Sequence, residues 1–242
     1  MKQEKLPTAP FAAARLRMFQ PTRRPRLISS DWMETPWGRV RVSGRLGQRH
    51  ADLVELMLAQ KLIHKWSEDG RLSILVDPYR LRTGMGKLAA ADWLRGLLVD
   101  LLDAKVEWDY RAADVRVQGA GHVIDEIETY EMQTAHGFGS DAREVWKITF
   151  GRVWSRVIRR DLSMRHDPER VARIKSGVAQ AVARLMLTHR PGGHGIKVDT
   201  VLDWLGIVSS TARRNARREL KKHVAALAEI GVSVADGKVT RR

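Results

Sequence analysis

The sequence predicts an α+β fold, two tandem winged-helix domains behind a basic N-terminal arm. Three observations predict it. Hydrophobic periods run helix, strand, helix, helix, strands between residues 48 and 150. A related order of helix, short helix, turn, long helix and hairpin recurs between residues 167 and 242. Residues 1–30 instead set Pro7, Pro10, Pro21 and Pro25 among Arg15, Arg17, Arg23, Arg24 and Arg26. That composition predicts a flexible arm with one short helix around Phe11–Phe19.

The first domain is expected over residues 31–140. Trp37–Ser43 alternates as a strand does, and a helix fits 48–66, where Leu53, Leu56, Met57 and Ile63 share a face and Trp66 closes the run. Glu68-Asp69-Gly70 is a turn before the β-branched strand Leu72–Val76. Asp77-Pro78 opens a helix over 78–82, since Asp caps a helix start and Pro suits its first position. After Gly84 and Gly86 a helix over 88–104 carries Leu94, Leu97, Leu98 and Leu101. Strands follow at Lys105–Tyr110, His122–Gln133 and Glu144–Phe150. The boundary is set near Gly137–Asp141, with a second choice just after Phe150, which makes 141–242 the second domain.

In that domain Asp167-Pro168-Glu169 starts a helix in which Val171, Ile174, Val178, Val182, Leu185 and His189 recur every three or four residues. Arg190-Pro191-Gly192-Gly193 ends it. Asp199–Leu205 is a short helix stopped by Gly206, Ser209 or Ser210 caps the next, and 211–230 continues it. Asp236-Gly237 then turns a terminal hairpin of the type I′ kind.

The totals bound the function. In 242 residues, 43 Lys and Arg oppose 28 Asp and Glu, a net charge of +15 that favours a polyanionic partner. At 43% hydrophobic residues the chain can bury a core. With no Cys, disulfides, thiolate zinc sites and Cys nucleophiles are excluded. No apolar run approaches the ~18–20 residues that span a bilayer, and the N-terminus lacks a signal-peptide core, so the chain reads as soluble and cytoplasmic.

The stretch 211–223, TARRNARRELKKH, concentrates this charge. At 100° per residue Ala212, Ala216, Leu220, Leu227 and Ile230 form one apolar stripe, and Arg213, Arg214, Arg217, Arg218, Lys221 and Lys222 centre on the opposite side. Packing does not require like charges three and four residues apart, which repel by a few tenths of a kcal/mol per pair. A solvated face more often mixes signs. In a helix-turn-helix the second helix enters the major groove and its first turns meet base edges. Here those are Ser210, Thr211, Arg213, Arg214 and Arg217, with Lys221 and Lys222 placed for phosphates and the amides near Ser209–Thr211 for another. The corresponding first-domain helix carries Asp92, Asp100 and Asp103, so only Arg80, Arg82 and Lys87 at its entrance are expected to touch phosphates.

Catalytic patterns are missing. Gly84-Met85-Gly86-Lys87 ends like a phosphate loop but has Leu81 and Leu88 where Gly and Ser or Thr belong. The eight histidines never occur as His-x-His, the metal-binding pair of rolling-circle nicking enzymes. Asp125, Glu126, Glu128 and Glu131 lie on one strand rather than converging from several elements, and His189 and His194 flank a glycine turn without an acidic neighbour. No enzyme activity, cofactor or metal is expected.

Two such domains with the more basic at the C-terminus resemble the initiator (Rep) proteins of plasmids, the iteron-binding initiators of IncQ-type plasmids above all. The stretches that carry this are TPWGRVRVSGRLGQRHADLVELML, VWKITFGRVWSRVI and VLDWLGIVSSTARRNARRELKKHVAALAEIGVSV, within a coverage of about residues 30–242. The resemblance implies binding to direct repeats in double-stranded origin DNA, melting of an AT-rich segment and recruitment of a replicative helicase, by a monomer or dimer. It carries DNA contact onto Arg213, Arg214, Arg217, Arg218 and Lys221, with the wing near Lys238 on the backbone. A tandem winged-helix transcriptional repressor is the alternative.

Overall fold

The computed structural model describes residues 6–86, 91–112, 115–133, 142–160, 163–192 and 194–242. The described part of the N-terminal segment, from Leu6 onward, is packed. It forms strand β1 (Ala9–Pro10) and helix α1 (Phe11–Arg15), and β1 pairs antiparallel with Ser163 and Met164. Composition suggested an arm because Pro and Arg dominate it. Yet Ala12, Leu16 and Met18 are fully or almost fully buried in the main core, and Arg15 donates to the Thr188 carbonyl at 2.8 Å. An apolar α1 face outweighs the basic residues around it.

Strands β2 (Ile28–Ser29) and β3 (Met33–Thr35) both pair with β4 (Gly38–Gly44), which meets the expected strand. Helix α2 (Gln48–Gln60) stops six residues short of its expected end, and Ile63–Trp66 form a strand, β5, paired with β6 (Leu72–Val76). Pairing to a neighbour overrode the helical period there. Asp77 caps α3 (Pro78–Gly84), its Oδ1 accepting from the Tyr79 amide at 2.9 Å. Helix α4 (Ala91–Asp103) precedes β7 (Lys105–Ala112), β8 (Val115–His122) and β9 (Ile124–Gln133). The sequence reading passed over β8, whose Gly119, Ala120 and Gly121 carry little β signal.

Strand β10 (Ala142–Phe150) follows the expected domain boundary. It lies inside the antiparallel sheet β5-β6-β10-β9 of the first half, its Trp146, Ile148 and Phe150 buried in the main core. The first-half sheet therefore continues past the expected 140/141 boundary, and residues 137–141 are outside the described residues. Helix α5 (Arg152–Arg160) also stays with the first half through buried Trp154, and strand β11 (Ser163–Met164) is the partner of β1. A second sheet, β2-β4-β7-β8, completes this half.

The helix expected from Asp167 to His189 is two. Helix α6 (Pro168–Arg173) ends where Ile174 turns to ψ 120°, and Ser176 caps α7 (Gly177–Leu187) through the Ala179 amide. Strand β12 (Ile196–Lys197), helix α8 (Val198–Trp204) and helix α9 (Ser210–Lys222) follow. At His223 (φ −112°, ψ 16°) the long helix breaks, and α10 (Val224–Ala228) follows. The chain ends in β13 (Val232–Ala235) and β14 (Lys238–Arg241). Asp236 (φ 49°) and Gly237 (φ 70°) both take the left-handed conformation that a type I′ turn needs. Unforeseen β12 adds a third strand in the order β12-β14-β13.

The α+β class stands, with antiparallel sheets and helices around a large first core and a second core built from α7, α8, α9, α10 and the terminal sheet. No helix among the described residues is long and apolar enough to cross a membrane.

Candidate nucleic-acid interface

Helix α9 is fixed at its start by local chemistry. Gly206, at φ 73°, ends α8, and buried Leu205 and Ile207 anchor the turn in the second core. The Ser209 hydroxyl oxygen then accepts from the Ala212 amide at 3.2 Å, satisfying one of the amides that a helix start leaves open. Ala216 and Leu220 face the core, as the apolar stripe requires, and Leu227 extends it on α10. Ala212, assigned to the stripe by its phase, is exposed because it sits at the projecting end of the helix.

The six basic residues of this helix divide into two groups. Arg214, Arg218 and Lys221 are exposed and make no ion pair among the described residues. Their spacing of four and three puts them along one outward face. Arg213, Arg217 and Lys222 have partners. Arg213 is half-buried, donating from Nε to the Ile207 carbonyl at 3.1 Å and pairing with Asp203. It thus ties α9 to the turn before it. Arg217 donates to Asp199 Oδ1 from Nε at 3.0 Å and Nη2 at 2.5 Å, and Lys222 reaches Glu219 at 3.2 Å. Ser210 and Thr211 are exposed at the helix tip.

The terminal hairpin stands beside this face. Lys238 is exposed next to the Asp236-Gly237 turn and opposite Lys197 across the β12–β14 pair. Between the hairpin and α9 runs a groove of about 540 Å³ into which Lys197, Arg217, Lys221 and Lys238 converge, with Asp199 at its wall. The sequence reading missed Lys197, because two-residue β12 exists only through pairing with β14. It also missed Asp199 and Asp203, though a spacing of four on α8 sets both on one helix face.

The first-half cations lie elsewhere. Arg80 is exposed on α3, 3.6 Å from Asp77, which also pairs with Arg143. The Arg82 guanidinium lies 5.8 Å from the Tyr79 ring centre. Lys87 is outside the described residues. Among the described residues no group of three or more His, Asp or Glu is placed to hold a metal ion.

The chain matches no protein-family model and, in sequence, no curated protein. In structure it is similar to domains 2 and 3 of RctB. A crystal structure of their selenomethionine derivative superposes with a TM-score of 0.62 at 10% identity, over 96% of this chain and 96% of that one. A second, of RctB domains 2–3, gives a TM-score of 0.53 at 10% identity over 92% of this chain and 83% of that one. At this identity the likeness is one of fold.

Proposed function

We propose that this chain is a replication initiator that binds double-stranded DNA in a sequence-specific way through α9, without enzymatic activity of its own. The observation that carries this is the exposed row Arg214, Arg218 and Lys221, on a capped helix whose other face is core. Cations left without acids on one rigid face fit a phosphate backbone, and the tip residues Ser210, Thr211 and Arg214 are placed to meet base edges. On this reading α7, α8 and α9 with the sheet β12-β14-β13 form a winged helix, Lys238 and Lys197 touch backbone from the wing, and Arg213 holds the turn instead of reading a base. Arg217 enters the groove by exchanging Asp199 for DNA. The fold shared with domains 2 and 3 of RctB, a replication initiator, supports the initiator role alone.

The initiator reading further implies direct repeats at an origin, local opening there and recruitment of a helicase. Footprinting on the DNA that flanks its gene tests it. Several evenly spaced protected repeats are expected. One or two inverted sites would instead indicate a repressor, and protection without register would leave only a general DNA coat.

A further inference from the structure

Strand register places a distinct set of side chains on the outer face of the sheet β2-β4-β7-β8. Val40, Val42, Val106, Trp108 and Tyr110 point into the core. Alternation therefore puts Arg39, Arg41, Lys105, Glu107, Asp109 and Arg111 on the other side, where the Arg111↔Arg116 pair adds Arg116 from β8. Glu34 of β3, the cross-strand partner of Arg39, also lies on this side, so three carboxylates face five cations. Asp109 accepts from Arg116 at 2.7 and 2.5 Å and lies 3.7 Å from Arg39. Glu107 is shared by Arg41 at 2.7 Å and Lys105 at 3.1 Å. Arg111 is exposed and makes no ion pair among the described residues. Cross-strand pairing alone would stabilise this sheet with matched charges. The excess is positive.

An aromatic ring stands on the same face. Trp32 is 38% exposed, with the guanidinium carbons of Arg39 and Arg41 at 4.8 and 5.4 Å from its ring. A hollow of about 420 Å³ continues the surface, its charged lining being Arg39, Arg111 and Arg116 with the acids Glu34 and Asp109. Its lining includes no residue of α9, and neither Arg80 nor Arg82.

We infer that this sheet face binds single-stranded DNA, with Trp32 stacking an unpaired base and Arg39, Arg41, Arg111 and Arg116 holding its phosphates. Charge selects a polyanion, and the exposed indole selects unpaired over paired bases, because a duplex hides the base faces on which an aromatic ring stacks. A duplex on α9 does not need this surface, so the two readings stand or fall separately.

The test uses the full chain and fluorescence anisotropy with three probes: a 20-nucleotide oligothymidylate, an abasic strand of equal length, and a duplex selected by the protein from a random pool. Oligothymidylate is expected to bind about tenfold tighter than the abasic strand, the scale of one stacked base. Trp32→Ala should erase that difference and Trp32→Phe keep most of it. Arg111→Glu should weaken both single strands several-fold, with duplex affinity within twofold of the parent for all three variants. Equal binding of the two single strands by the parent protein, or oligothymidylate binding untouched by Trp32→Ala, overturns the inference. So does a parallel loss of duplex binding and thermal stability in Trp32→Ala, which would make the ring structural. A parent protein that binds no duplex sinks the proposed function and leaves this one standing.

Discussion

Arg184 on α7 and Glu55 on α2 form a bidentate ion pair inside the protein, with Nε to Oε1 and Nη2 to Oε2 both at 2.8 Å. The same guanidinium reaches Asp52 at 2.7 Å and the Gln48 amide oxygen at 2.8 Å, and Gln180 donates to Asp52 at 3.1 Å. All five side chains are buried. The network joins the first core's central helix to the second core's first helix, so it sets how the two halves meet. Trp37, from the β3–β4 turn, reinforces the junction by packing edge-on against Trp204 at 5.1 Å.

Arg184→Met should destabilise the protein by about 3–5 kcal/mol, because two buried carboxylates lose their counter-charge. Urea unfolding measures this. A loss below about 1 kcal/mol would mean that the pairs merely offset their desolvation and that water replaces the arginine without penalty.

Acid should weaken the fold in two stages. Burial holds His50 and His189 below the ordinary 6.5, although Asp100 pulls the first, and the Leu185 carbonyl the second, partly back up. A histidine kept neutral when folded contributes nothing above pH 6.5, and costs stability below it because only the unfolded chain takes the proton. Burial alone would raise Glu55, but Arg184 and His166 hold it down to about 2. Its contribution is complete above its ordinary 4.5 and fades as pH falls toward 2. Asp52, raised by burial against the pull of Arg184, works in the opposite sense and softens the second stage. Urea midpoints at pH 7.5, 5.5 and 3.5 should fall at each step, and the double variant His50→Gln, His189→Gln should flatten the first. An unchanged first step in that variant refutes the assignment.

Gly177→Ala tests the docking of the N-terminal segment. Alanine at a helix position ordinarily stabilises by about 1 kcal/mol over glycine. Here a Cβ on Gly177 would lie 2.5 Å from Thr22 Cα and 2.7 Å from the Arg23 nitrogen, both backbone atoms. The substitution should therefore destabilise the full chain by about 1–3 kcal/mol, as overpacking does. A rise in urea midpoint would mean that residues 20–26 stand clear of α7.

What was legible in the sequence was whatever local chemistry decides. The Asp77 and Ser209 caps, the Asp236-Gly237 turn and the Ala216–Leu220–Leu227 stripe all follow from neighbouring residues, and the structure keeps each in place. What long-range pairing decides stayed hidden. Ile63–Trp66 is a strand only because Leu72–Val76 lies beside it, and β12 only because of β14. Charge misled most in residues 1–30, where α1 buries an apolar face that the surrounding arginines masked. At the candidate interface the helix phase located the basic face correctly but not the acids on α8 that hold Arg213 and Arg217.

Those acids give the sharpest test of α9. Asp199 faces the groove and accepts both hydrogen bonds from Arg217, so any DNA phosphate must compete with a carboxylate already in place. Both side chains are about half exposed, and pairs of that kind contribute at most about 1 kcal/mol to stability. Asp199→Asn should therefore leave the fold almost unchanged. It should tighten binding to random-sequence duplex several-fold and steepen the salt dependence by about one, since Arg217 becomes a full phosphate partner. Arg218→Ala should do the reverse, weakening all duplexes alike and lowering the slope by about one. Arg214→Ala, at the helix tip, should cost about 1–3 kcal/mol on the selected site and much less on random DNA. Anisotropy titrations at three salt concentrations separate these outcomes. If Asp199→Asn binds random duplex no better than the parent, Arg217 does not meet the backbone and the groove between α9 and the hairpin is not where DNA lies.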